Sequence, residues 1–127
     1  MKVMGIDFGS KRIGVALSDE NAAFAFPHSV LKNDRTFFEK ICAIMREEGV
    51  QKVVIGESKD YRGNENAIMQ AVHALRLRLE KEAHVEVVFE PEFLTSAEAE
   101  RLQGKHEKLD ASAAALILKS YLERTKQ

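Results

Sequence analysis

The 127-residue chain has a single cysteine, Cys42, so no intrachain disulfide can form. That scarcity suits a reducing compartment. Cys42 falls inside an apolar helical pattern, where a thiol acts as a small core filler. No run approaches the ~18 consecutive apolar residues of a membrane-spanning helix, and no basic-then-apolar leader opens the chain. We therefore expect a cytoplasmic protein with no membrane partner. Neither sign of charge dominates, with 19 Lys and Arg against 20 Asp and Glu, a net charge of -1 and a pI near 6.4. Without a global basic field, any nucleic-acid surface must be local. Repeats, low-complexity stretches and linkers are lacking too. The length suits one domain over residues 1–127, large enough to bury its own core.

What the chain does contain is a succession of apolar runs. "KVMGIDF" reads as a first strand and "RIGVALSD" as a second, where Ile13, Val15 and Leu17 alternate with small residues. Their short link implies an antiparallel hairpin. A third strand falls within "FAFPHSVL", with Pro27 confining part of it to an edge. "TFFEKICAIMREEG" is a helix with Phe37, Ile41 and Met45 at helical spacing, a capping box of Thr36 with Glu39, and Gly49 as its stop. "KVVIG" is the continuous apolar run of a buried strand. "ENAIMQAVHALRLRLEKEA" is a long helix with Ile68, Val72, Leu75 and Leu79 on one stripe. "VEVVFEPEF" is a fifth strand, "SAEAERLQ" a short helix capped by Thr95 with Glu98, and "DASAAALILKSYLER" the last helix. Hairpin-linked strands followed by strand–helix alternation predict an α/β fold. It has one mixed five-stranded sheet, the first three strands antiparallel, with helices on both faces.

Ligands of open α/β sheets gather beyond the carboxyl ends of the strands. Asp7, Glu57, Glu90 and Glu92 all fall at such ends, and Asp110 begins the last helix. Clustered carboxylates repel and stay ionised together only around a cation. Hard oxygen donors suit Mg²⁺ or Mn²⁺, and no Cys/His spacing points to zinc. Two such ions ~4 Å apart can activate a water and stabilise the leaving oxygen in phosphodiester cleavage. Each acid also has a plain role. Asp7, Glu57 and Glu92 can simply end strands, and Asp110 can cap a helix whose dipole favours it. Three groups of cations flank the same region in loops: Lys11 and Arg12, Lys59 and Arg62, then Lys105 and Lys108 beside His106. Although Asp60, Glu65 and Glu107 dilute them, they form a candidate rim that binds phosphates without reading bases. Gly9 and Gly14 allow close backbone approach there.

These residues carry a resemblance. "GIDFGSKRIGVALSD" resembles the opening motif of the YqgF/RuvX family of pre-16S rRNA nucleases, once labelled Holliday junction resolvases. "FLTSAEAER" resembles the family's next signature and "LDASAAALILKSYLE" its C-terminal helix. The match is colinear over nearly the whole chain. It implies a ribonuclease H-like fold and a nuclease using Mg²⁺ or Mn²⁺ to process the 5′ end of pre-16S rRNA. Matched residue by residue, the metal-binding acids it implies are Asp7, Glu92 and Asp110. Two departures stand out. The family's Asp-Glu-Arg triplet reads "PEF", so Glu92 is kept between Pro91 and Phe93. The loop "GESKDYRG" replaces an apolar-proline step and puts Glu57 where related junction resolvases carry their second acid. The second catalytic carboxylate is therefore open between Glu92 and Glu57. A resolvase-like DNA nuclease and a non-catalytic RNA-binding domain that keeps the acids are the alternatives. "DFGSKRIGVA" also resembles the hairpin of actin-like ATPases and sugar kinases, which hold nucleotide between two large lobes. The apolar stripes are all needed to cover the sheet. We expect a monomer rather than an obligate dimer, with a ribosomal RNA precursor or other structured nucleic acid as partner.

Overall fold

A computed structural model of the chain describes residues 1–58, 68–92 and 107–125, apart from the side chains of Ser58, Glu92 and residues 107–110. The apolar runs become β1 (Lys2–Phe8), β2 (Arg12–Ser18), β3 (Ala25–Lys32), α1 (Phe37–Glu48), β4 (Val50–Ser58), α2 (Met69–Arg78), β5 (Glu86–Glu92) and α3 (Glu107–Thr125). The strands form one sheet in the order β3-β2-β1-β4-β5. The β1–β2 and β2–β3 pairs are antiparallel, while β1–β4 and β4–β5 are parallel. This is the mixed five-stranded sheet expected from the sequence. Pro27, which has no amide to donate, sits on edge strand β3 beside a register shift opposite Val15 and Ala16.

The two-residue period of each strand sorts side chains between two cores. Met4, Ile6, Val15 and Ile55 point toward α1 and α2, where Ile41, Met45, Val72 and Leu79 cover them. Val3, Ala16 and Val54 point the other way, under Ala114, Ile117, Leu118 and Tyr121 of α3. Helices therefore cover both faces. The α3 side is lined by small residues, and the helix lies close. A Cβ added at Gly5 would stand 2.8 Å from Leu118 Cβ and 2.9 Å from the Ala114 carbonyl oxygen. No helix among the described residues is long and apolar enough to cross a membrane.

Helix ends differ in detail from the sequence reading. Gly49 closes α1 as expected, in the left-handed conformation (φ 68°), with its amide donating to the Met45 carbonyl. The Thr36–Glu39 capping box does not form. A capping hydroxyl reaches the helix amides from an extended backbone, whereas Thr36 is already helical (φ -96°, ψ -8°). Its Oγ1 instead donates to Asp34 Oδ1 at 2.6 Å. The described part of the long second helix is regular over Met69–Arg78, then widens into a π-helical turn, Leu79–Ala83, closed by left-handed His84. That turn keeps Leu79 fully buried. The short helix assigned to "SAEAERLQ" lies outside the described residues.

Candidate active site

Asp7 is half-buried one residue before the end of β1. It follows Val3 and Gly5 in the strand's two-residue period, so it stands on the α3 face. Phe8 takes the opposite face and packs edge-on against Phe37 of α1. The residue directly opposite Asp7 on β2 is Gly14. On β4, Gly56 follows Ile55, the partner of Ile6. Asp7 thus lies between two strand positions that carry no side chain.

α3 runs back along β1. Ala114 and Leu118 lie over Gly5, and Tyr121 and Leu122 pack with Val3. One further turn toward the helix start is position 110, and two further residues along β1 is Asp7. Four helical residues rise ~6 Å and two strand residues ~6.6 Å, so the backbone at Asp110 comes level with Asp7. The strand period sorts the remaining acids. Glu57 continues the Val53–Ile55 series and falls on the α1/α2 face, half-buried. Position 92 continues the Val88–Glu90 series on the α3 face, although β5 lies one strand farther from β1 than β4 does.

Glu90, another strand-end acid, is consumed by packing. It is 5% exposed, and its carboxylate accepts from Ser120 Oγ at 2.8 Å and from Arg124 Nε at 3.0 Å and Nη2 at 2.5 Å. These bonds pin the end of α3 to β5, and they raise the Arg124 guanidinium further above its ordinary value. The sequence held no sign of this beyond helical spacing, because the partners are 30 and 34 residues apart.

The turn between β1 and β2 is tightly built. The Gly9 amide donates to the Arg12 carbonyl at 2.9 Å, and a Cβ at Gly9 would come within 2.6 Å of that oxygen. Asn33 at the end of β3 clamps the turn from outside. Its side-chain amide donates to the Gly9 carbonyl at 2.9 Å and its backbone amide to the Lys11 carbonyl at 3.0 Å. Lys11 and Arg12 are exposed on this fixed loop. Lys59, Arg62 and Lys105 lie outside the described residues, and of Lys108 the backbone alone is described, in the first turn of α3. Cys42 packs against the core as expected, and burial pushes its thiol up from the ordinary value.

A family model described as "RuvX: Holliday junction resolvase" matches residues 1–124. A Streptococcus uberis protein named "Putative pre-16S rRNA nuclease" is 34% identical, over 98% of this chain and 99% of its own length. A Desulforudis audaxviator protein of the same name is 38% identical over 99% and 96%. Among solved structures, the RuvC of T. thermophilus in complex with a Holliday junction substrate aligns with a TM-score of 0.62 at 19% identity, covering 98% of this chain and 97% of that one. The fowlpox virus Holliday junction resolvase aligns at 0.57 and 15% identity, covering 98% and 99%. The likeness to these structures bears on the fold, which is ribonuclease H-like.

Proposed function

Because the chain belongs to the RuvX Holliday junction resolvase family, we propose that it is a metal-dependent nuclease that hydrolyses phosphodiester bonds in a ribosomal RNA precursor, at the 5′ end of pre-16S rRNA. The observation that carries this reading is the setting of Asp7. It is a carboxylate at the carboxyl end of a central strand, between two glycine positions, level with the head of α3. The donors are carboxylate oxygens, which fit Mg²⁺ or Mn²⁺. Such ions, when bound, supply an activated water and neutralise charge building on the leaving oxygen.

Asp7, Glu92 and Asp110 would hold the metal. The strand period favours position 92 over Glu57 for the second acid, because position 92 continues the Val88–Glu90 series of backbone positions while Glu57 continues the Val53–Ile55 series of the α1/α2 core. Lys11 and Arg12 stand where a bound strand would pass, held by the Asn33 clamp. With Lys59, Arg62, Lys105 and Lys108 they would neutralise substrate phosphates without reading bases. Relatives over the whole chain carry the pre-16S rRNA nuclease name, which favours RNA over a four-way junction. Symmetric junction cutting needs two sites in fixed relation, and a monomer with one cleft suits cuts in one strand at a time.

The test offers purified protein, with Mn²⁺ or Mg²⁺, a synthetic four-way junction and a 16S precursor fragment at equal concentration. Metal-dependent cleavage of the RNA, abolished by Asp7→Asn, is the expected result. Paired symmetric nicks in the junction with the RNA intact would replace this reading by the resolvase one. Cleavage of neither would leave a binding domain that has kept its acids.

A further inference from the structure

At the end of the sheet away from Asp7, the α3 face holds a cavity of about 420 Å³. Val3 of β1, Ala22 and Ala23 of the β2–β3 turn, and Leu122 of α3 give it apolar walls, while Lys52 of β4 and Tyr121 of α3 give it a polar side. Val3 lies four residues before Asp7, ~13 Å along the strand. Tyr121 lies eleven residues beyond position 110, ~16 Å along the helix. The cavity is therefore separate from the candidate active site. Apolar cavities of this size with a few convergent polar groups hold small ligands.

The polar pair is built to donate. Lys52 Nζ donates to the Tyr121 hydroxyl oxygen at 3.1 Å. Since that oxygen accepts, the phenol proton is left to donate, and among the described residues it has no acceptor. Tyr121 is 9% exposed, and a donor so shielded from water is costly to leave unmatched. Two cations polarise it, the Lys52 ammonium at 5.6 Å and the Arg124 guanidinium at 5.7 Å from the ring centroid. The one acid paired with Lys52 is Glu86, whose Oε1 stands 3.7 Å from Nζ on a side chain 63% exposed. That separation is longer than a hydrogen bond, so Lys52 keeps donors for a ligand. The turn opposite is fixed. Asp19 Oδ1 accepts from the Ala23 and Phe24 amides, and Ala22 is held in the left-handed conformation (φ 53°). Strain of this kind at a non-glycine residue gathers at ligand clamps.

We propose that this cavity binds a small organic anion, a carboxylate or a phosphate monoester carrying a short apolar body. The anionic group accepts from the Tyr121 hydroxyl and from Lys52 Nζ, two donors 3.1 Å apart. The apolar body lies against Val3, Ala22 and Leu122. A neutral ligand of the same shape gains the apolar contact without the charge, and a bare anion gains the reverse, so the site selects for both together. It stands apart from the nuclease reading and does not depend on it.

The test titrates the isotope-labelled full chain at neutral pH with benzoate, phenyl phosphate, benzamide and inorganic phosphate, and follows the amide resonances. Benzoate or phenyl phosphate should move the Ala22, Ala23 and Leu122 amides to saturation, and the tighter of the two assigns carboxylate or phosphate. Benzamide and inorganic phosphate should bind at least about tenfold more weakly. Tyr121→Phe and Lys52→Met should each weaken the better anion by about tenfold, the loss of one hydrogen bond to a charged group. Ala23→Leu, which fills the cavity and spares the polar pair, should weaken it as well. The four-ligand comparison on the unaltered chain stands by itself if a variant fails to fold. No saturable movement of those amides with either organic anion, equal binding of benzamide or inorganic phosphate, or undiminished affinity in folded Tyr121→Phe would overturn the site.

Discussion

Gly5→Ala tests how closely α3 must lie on β1 for the site to exist. The added methyl carbon would meet Leu118 Cβ at 2.8 Å and the Ala114 carbonyl oxygen at 2.9 Å. Carbon contacts settle near ~3.5–4.0 Å, so strand and helix must part by roughly 0.7 Å. Neither obstacle is the far end of a flexible side chain, so no rotamer change relieves the clash. The helix has to move. Overpacking of this kind costs about 1–3 kcal/mol. Replacing glycine inside a strand returns about 0.5–1 kcal/mol. The net loss is about 1–2 kcal/mol. The effect on metal should be larger. Ligand distances tolerate only about 0.2 Å, and the displaced helix carries position 110 away from Asp7. Urea unfolding gives the stability change, and a Mn²⁺ titration under fully folded conditions gives the affinity. Ile117→Val is the matched control. Ile117 is buried in the same core, and the change costs about 0.5–1.5 kcal/mol without pushing on the helix. Gly5→Ala should lose Mn²⁺ binding while Ile117→Val keeps it. A Gly5→Ala protein with wild-type stability and Mn²⁺ affinity would refute the reasoning, as would equal Mn²⁺ loss in the control.

The other predictions use the acids that the fold has sorted. Glu92→Gln should reduce metal-dependent cleavage beyond the roughly 10–100-fold typical of groups around a metal rather than on it, with Glu57→Gln milder; the reverse order in a cleavage assay would assign the metal to the β4 position. Arg124→Ala should lower stability, because it leaves the buried Glu90 carboxylate without its cation, although water reaching the half-exposed arginine position softens the loss. Denaturation of Arg124→Ala with Glu90→Gln should show recovery relative to the sum of the single changes, and strict additivity would count against the ion pair. Asp19 Oδ1 accepts from the Ala23 amide at 2.7 Å and the Phe24 amide at 2.9 Å, and these bonds, the Phe24 one foremost, lower its carboxyl from the ordinary value. Between the depressed folded value and the unfolded ~3.9, the unfolded chain binds more protons, so this contribution is complete above about pH 4 and is lost as pH falls through the folded value. The melting-temperature gap between wild type and Asp19→Ala should therefore be constant near neutrality and shrink in acid; a gap that persists undiminished at strongly acidic pH would contradict it.

Local order along the chain was legible from the residues themselves. Period-two runs marked the strands, the Gly49 stop ended α1, Pro27 marked an edge, and Asp7 stood out as a charge at the end of an apolar strand. These signals are short-range, since side-chain period and backbone freedom act over a few residues. The Thr36–Glu39 pattern failed because Thr36 is itself in helical backbone, from which its hydroxyl oxygen does not reach the helix amides, and the hydroxyl donates to Asp34 instead.

The sequence by itself therefore determined which segments are strands and helices, that they share one sheet, and that acids collect at strand ends. Which backbone positions share a face of the sheet is a matter of tertiary structure alone. Whether Glu57 or position 92 shares a face with Asp7 depends on how β4 and β5 register against β1, and a shift of one residue would exchange the faces. Glu90 was withdrawn from the strand-end set by Ser120 and Arg124, partners brought to it by the path of α3 across the sheet. Gly5 gained its meaning from a helix more than a hundred residues along the chain. Long-range pairing is fixed by how two faces pack, a property of the assembled sheet and helices that no local window of residues contains.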